Sequence, residues 1–261
     1  MGRPNAGGSE SPEGLAWLGG EPTARIPLLL RVSAALVRFV SYRLAGASLR
    51  VEGREHAPKP PFIAAAAIHR SWLDGLVLGE VFPLEPRIWY IASGVAAFRT
   101  PMRRLYLRAI GGILPVYRGG YSIDSSVASA RAVQRAGAIL GFFPEGTRKG
   151  PPDAVGPFRG GVGYIALRTG MRVLPVAMAG TKELYLGKRI AVRMLPSFDP
   201  VEFAGLAAPP AEGSREERDA AHRVTAGLRE LLEPHVKELV AWTTDPPGRP
   251  RRLAWLTRLF P

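Results

Sequence analysis

The sequence predicts an α/β fold: a mixed, mostly parallel central sheet flanked by helices, with an amphipathic, membrane-associated helical segment before it. Three observations predict it. From Val51 to Phe198 short apolar runs alternate with helical stretches, as they do when helices layer a sheet. The 261 residues are 46% hydrophobic, enough to bury a full core in one large α/β domain or two small ones. Ahead of that alternation lies a strongly apolar stretch punctuated by arginines. The expected organisation is a flexible tail over 1–22, the amphipathic helix over 23–50, a core over 51–205, and a helical extension with a basic amphipathic tail over 206–261.

The tail over 1–22 is rich in Gly, Pro, Glu and Asn and has no apolar period. It lacks the cationic start and apolar centre of a secretory signal. Ala6 stands where a myristoylation signal requires Ser or Thr. Thr23 to Ala45 carries Leu28, Leu29, Leu30, Val32, Leu36, Val37, Phe39 and Val40, interrupted by Arg25, Arg31, Arg38 and Arg43. A spanning helix needs about 20 mostly apolar residues, and a central Arg costs about 2.5–3.5 kcal/mol on insertion scales. Arg31 and Arg38 lie seven apart, hence on one helical face. An interfacial helix with snorkelling arginines fits better than a span; an ordinary amphipathic helix covering the core is the alternative.

Strands are expected at Phe62–Ile68, Arg87–Ile91, Leu114–Tyr117, Ala138–Phe143, Val173–Ala177 and Ala191–Leu195. Helices are expected at Leu73–Val81, Met102–Ala109, Ser125–Ala136 and Gly161–Arg168, and Ser214–Trp242 reads as a long charged helix interrupted near Pro234. The tail Gly248–Pro261 mixes Arg249, Arg251, Arg252 and Arg258 with Leu253, Trp255, Leu256, Leu259 and Phe260, which suits a membrane interface or docking on another protein.

Composition excludes several chemistries. No cysteine is present, which removes disulfides, thiolate metal sites and a cysteine nucleophile. The four histidines, His56, His69, His222 and His235, lack metal-ligand spacing, so no zinc site is expected. His56 lies in a polar turn and His222 and His235 on the charged helix, where surface placement is expected. Thirty-five Lys and Arg against 22 Asp and Glu give a net charge of +13, and so an anionic partner: nucleic acid, membrane surface or phosphorylated substrate.

Two segments concentrate chemistry. The first is His69-Arg70-Ser71-Trp72-Leu73-Asp74, directly after an apolar run. On one continuous helix, residues five apart point about 140° away from each other, so His69 and Asp74 meet only across a turn. A strand ending at Ile68 and a helix beginning near Ser71 would supply it. A carboxylate on one imidazole nitrogen fixes the tautomer and frees the other to accept a proton, the design of a general base. Ser71 with Asp74 three residues later is also a capping-box variant that would simply start the helix; both roles are compatible. The second is Phe143-Pro144-Glu145-Gly146-Thr147-Arg148, closing the run Ala138–Phe143, where ligand sites of open α/β sheets form. Gly146 allows close backbone approach, Thr147 can donate, and Arg148 offers a planar fork for phosphate. Glu145 fits an anion site only as an orienter of arginines or of a substrate hydroxyl. The alternative is a plain turn with a solvated Arg. Two further segments say less: Gly111–Arg118 bends into a short strand that would deliver Arg118 to the same edge, and Val173–Gly180 reads as core or acyl-pocket wall.

Taken in this order, the segments resemble the glycerolipid acyltransferase superfamily, represented in bacteria by 1-acyl-glycerol-3-phosphate acyltransferase. The resemblance spans about Val51 to Pro196, and its most specific elements are the His69/Asp74 pair and the complete Phe-Pro-Glu-Gly-Thr-Arg at 143–148. It implies that His69 is the general base, that Asp74 holds its ring, and that Arg118, Glu145, Gly146, Thr147 and Arg148 receive the acceptor's phosphate. It implies transfer of a fatty acyl group from an acyl-CoA or acyl-carrier-protein thioester to the free hydroxyl of 1-acyl-glycerol-3-phosphate, a step of phospholipid biosynthesis, by direct attack and with no metal or bound cofactor. The sequence agrees in having neither cysteine nor a Gly-x-Ser-x-Gly elbow. Peripheral or monotopic contact with the cytoplasmic face of the cell membrane follows as an expectation, since thioester donors are made inside the cell.

Three departures bear on the acceptor. Ile68 precedes the histidine where Asn is common, Arg70 follows it where a neutral polar residue is frequent, and Lys149 replaces a frequent Ser. An extra cation beside the base would suit a glycolipid, an amine lipid or another lysophospholipid. A nucleic-acid-binding module is the alternative from a different class, but the basic residues flank apolar segments at both termini and no such motif appears. An inactive lipid-binding scaffold would need lesions in motifs that are intact.

Overall fold

The structure is a computed structural model that describes residues 22–26, 28–39, 46–93, 111–116, 122–248 and 250–259. The tail over 1–21, the helix expected at Met102–Ala109, Tyr117 and Arg118 lie outside the described residues.

Among the described residues seven strands form one sheet: β1 (Ser48–Glu52), β2 (Phe62–Ala67), β3 (Ile88–Ser93), β4 (Gly112–Val116), β5 (Ile139–Phe142), β6 (Val173–Ala179) and β7 (Arg189–Met194), in the order β1-β7-β6-β2-β5-β3-β4. The strands β6, β2, β5, β3 and β4 are mutually parallel; β7 runs antiparallel to β6, and β1 runs parallel to β7. The sheet is therefore mixed and mostly parallel.

Strand β2 is central and its sequence shows why. Phe-Ile-Ala-Ala-Ala-Ala is buried at every position, the mark of a parallel strand covered on both faces. The pleat sends Ile63, Ala65 and Ala67 into one core and Phe62, Ala64 and Ala66 into another. The first core is closed by α3 (Ile123–Arg135), α4 (Gly161–Thr169) and α6 (Arg215–Thr243), through Val127, Ala130, Ile165, Leu228, Leu232 and Leu239. The second is closed by α2 (Leu73–Val81), through Leu73, Leu76, Val77 and Val81.

Four expectations change. Helix α6 continues through Pro234 instead of breaking there. Proline removes one backbone bond and costs about 3 kcal/mol inside a helix. Pro234 is exposed, however, and the buried stripe Leu228, Leu232, Val236, Leu239 continues past it on the other face. Residues 48–50, expected at the end of the amphipathic helix, form the start of β1, because Leu49 and Val51 alternate with polar neighbours and pair against β7. A one-turn helix, α5 (Pro200–Phe203), was unexpected; Asp199 caps it by accepting from the backbone N–H of Val201 and Glu202.

The fourth concerns α1 (Leu28–Phe39), the expected amphipathic helix, in which Arg31 is paired rather than free to snorkel. Thr23 accepts from the Trp89 indole, Ala24 from the Arg87 N–H, and the Glu85 carboxylate pairs with Arg31, so the segment is moored to the fold and Arg31 is engaged by protein. Leu28, Leu29, Val32 and Leu36 are 60–85% exposed, so the apolar stripe does not cover the core. Among the described residues no helix is long and apolar enough to cross a membrane.

Candidate active site

Parallel neighbours end at the same edge, and β2 and β5 are parallel neighbours. The chain leaves β2 at Ala67 and reaches His69; it leaves β5 at Phe142 and enters Phe143–Arg148. Both chemistry-bearing segments thus arrive at one edge of the sheet, where α/β folds place ligands.

The first segment is the turn the spacing demanded. The His69 Nδ1 lies 2.8 Å from Asp74 Oδ2. The same oxygen accepts from the backbone N–H of Arg70 at 2.6 Å and of Ser71 at 2.8 Å. Ser71 Oγ accepts from Leu73 N–H at 3.0 Å and donates to the Thr181 carbonyl at 2.6 Å. The capping and pairing arrangements are therefore both present and share one carboxylate oxygen. Capping shifts by one position, Ser71 serving its second rather than its third neighbour.

Asp74 is fully buried, whereas the His69 side chain is 22% exposed. With the carboxylate accepting at Nδ1, that nitrogen carries the ring proton and Nε2, on the far side of the ring, is the proton acceptor. The Phe143 ring stacks on the imidazole, centroids 4.2 Å apart at 16°. Tyr90 lies behind Phe143 at 6.3 Å and donates its hydroxyl to the Gly75 carbonyl at 2.8 Å. Hydrogen bonding fixes one side of the imidazole and aromatic stacking one face.

Glu145 joins the two segments. Its Oε1 accepts from the backbone N–H of His69 at 3.0 Å; its Oε2 accepts from Arg70 at 2.6 Å and from Gly156 N–H at 3.2 Å. The carboxylate is 1% exposed and the Arg70 side chain 3%. Arg70 donates further to the carbonyls of His69, Pro151 and Ala154. Two expectations change here. Glu145 orients an arginine, as foreseen, but its oxygens are spent inside the protein rather than turned to a phosphate. Arg70 is not an extra cation beside the base: its charge is neutralised and its donors engaged.

The rest of the second segment faces outward. Gly146 sits at φ +59, where an L side chain is strained, and a Cβ there would lie 3.0 Å from Arg159 Cδ. Its N–H closes a turn onto the Phe143 carbonyl at 3.0 Å. Thr147 Oγ1 accepts from Lys149 N–H at 3.2 Å. Arg148 is exposed and has no partner among the described residues, and Arg159 is exposed beside Gly146. Sequence reasoning missed Arg159 as a neighbour of this loop and Phe143 as the cover of the imidazole. The first contact is long-range and had no local signal; the second had one, an aromatic ring opening the motif. Among the described residues no group of three His, Cys, Asp or Glu could hold a metal ion.

The chain has relatives among known proteins. The family model described as Acyltransferase matches residues 48–179, just over half of the chain and both segments with it. The chain belongs to the acyltransferase family. It is 29% identical over 147 residues to the 1-acyl-sn-glycerol-3-phosphate acyltransferase of Borreliella burgdorferi, covering 56% of this chain and 57% of that one. It is 26% identical over 192 residues to the alpha form of that enzyme in Mus musculus, covering 68% and 62%. The chain thus matches about three fifths of the length of these curated relatives. The crystal structure of the 1-acyl-sn-glycerophosphate acyltransferase PlsC from Thermotoga maritima superposes with a TM-score of 0.54 over 79% of each chain, at 22% identity; the two acyltransferase-family chains share a fold.

Proposed function

We propose that this protein is an O-acyltransferase that moves a fatty acyl group from an acyl-CoA or acyl-carrier-protein thioester to the free hydroxyl of 1-acyl-glycerol-3-phosphate. The observation that carries it is the His69–Asp74 pair at 2.8 Å, bound through Glu145 to a loop that presents an arginine unpaired among the described residues.

In this proposal Nε2 of His69 takes the proton of the acceptor hydroxyl as its oxygen attacks the thioester carbonyl carbon. The new C–O bond gives a tetrahedral intermediate that expels the sulfur as the C–S bond breaks, and the imidazolium returns the proton to the thiolate. Asp74 stabilises the imidazolium and keeps Nδ1 as the donor side, an arrangement worth about 10²–10⁴-fold in rate. Arg148, with Gly146, Thr147 and Arg118, receives the acceptor's phosphate, and Arg159 adds charge beside Gly146. Phosphatidic acid is the product, made at the membrane surface that supplies the acceptor.

The test is mass spectrometry of lipids formed by purified protein from one acyl-CoA and a panel of lysolipid, glycolipid and amine-lipid acceptors. Phosphatidic acid should dominate. Preferential acylation of an acceptor without phosphate would contradict the role of Arg148. Burial of Arg70 removes one of the sequence-based reasons for preferring a different acceptor.

A further inference from the structure

The C-terminal segment lies across the edge of the sheet that carries His69. Trp72, three residues beyond that histidine, donates its indole N–H to the Thr257 carbonyl at 3.0 Å. The Thr257 hydroxyl accepts from Leu184 N–H at 2.8 Å and donates to the Leu184 carbonyl at 3.2 Å; Leu186 N–H donates to the Arg252 carbonyl at 2.9 Å. Residues 180–188 connect β6 to β7, and that antiparallel pairing leaves them at the carboxyl end of β6, beside the carboxyl end of β2. The segment is therefore fastened both to the connection and to the catalytic turn.

Its outward side is apolar and cationic. Leu186 is 44% exposed, Leu253 39% and Trp255 57%. Leu253 sits at φ +65, a conformation that L residues avoid, held beside the Leu186–Arg252 bond. The Lys182 and Arg252 side chains are exposed without a partner among the described residues, and Arg251 is exposed while bonded to Glu183. Leucines and an indole ringed by cations match an interface whose outer layer is anionic and whose interior is hydrocarbon.

We propose that residues 251–259, together with Leu186, form a contact that seats the edge bearing His69 on an anionic lipid bilayer. This contact is separate from α1, which is moored at Glu85 and Arg87, near the amino end of β3. It stands on exposure, charge and attachment, and does not depend on the acyl-transfer assignment.

The experiment measures partition of the full chain, without acyl donor, onto vesicles of phosphatidylcholine mixed with phosphatidylglycerol and of phosphatidylcholine alone. Leu186→Ser, Leu253→Ser and Trp255→Ser combined should lower partition onto the mixed vesicles by about tenfold or more, with thermal unfolding unchanged. Lys182→Ser with Arg252→Ser should abolish the preference for mixed over neutral vesicles. Unchanged partition by the apolar variant overturns the proposal and assigns the patch to another partner. If that variant does not fold, Trp255→Phe decides: the emission lost in that variant, which reports Trp255, should shift to the blue on mixed vesicles. No shift overturns it.

Discussion

One oxygen of Asp74 accepts from His69 Nδ1 and from two backbone N–H groups, while its other oxygen is buried with no partner among the described residues. That asymmetry makes Asp74→Asn informative. The amide carbonyl can take over all three donors and the NH₂ can occupy the unpartnered position, so the fold should survive while the charge that supports an imidazolium is lost. Turnover should fall by about 10²–10⁴-fold, with thermal unfolding close to that of the parent. Glu145→Gln should behave in the opposite way. It leaves the Arg70 guanidinium buried against a neutral amide, which costs about 3–5 kcal/mol and should appear as a lower denaturant midpoint before any effect on activity is considered. The His69–Asp74 pair was legible in the sequence because a strand ending at Ile68 leaves room for a turn in which residues five apart can meet, and because the segment resembles the family's His-x4-Asp element. Burial of Glu145 and Arg70 was not, since each needs a partner some 75 positions away and nothing local marks it.

At the scale of elements, β2 and β6 announce themselves as unbroken apolar runs, whereas β1 and α5 are short and rest on pairing or capping with distant chain. Asp199-Pro200 was the available signal for α5, a capping residue followed by proline at the first helical position. Helix α6 begins similarly: Ser214 Oγ accepts from Glu217 N–H at 3.0 Å. Glu217 itself receives Arg168 at 2.5 and 2.9 Å and Gly213 N–H at 2.6 Å, tying α4 to α6. Chiefly through the hydrogen bonds from Arg168, its carboxyl is held below the ordinary value of 4.5, despite a desolvation penalty. A depressed folded-state pKa adds stability above the unfolded value, and that stability disappears as pH falls through the folded one. Glu217→Gln should therefore lower unfolding stability at neutral pH by about 3 kcal/mol. The gap between variant and parent should close as pH drops below 4.5, as measured by denaturant titration across that range. A gap independent of pH would place the contribution in packing instead.

Across the whole molecule, two cores clamp a sheet whose carboxyl edge collects the catalytic turn, the Phe143–Arg148 loop and the C-terminal segment. The fold class followed from the alternation of apolar runs and helices, and the facing of the two motifs from the resemblance that their order carries; the strand order that brings them to one edge did not, because pairing partners are distant in sequence. The most direct measurement of the central claim is single-turnover acyl transfer from acyl-CoA to 1-acyl-glycerol-3-phosphate by the parent and by His69→Ala. With its melting curve preserved, the variant should lose at least about 10²-fold in rate at every pH tested. Parent-like transfer by the folded variant would mean that the imidazole held by Asp74 and Phe143 is not the base.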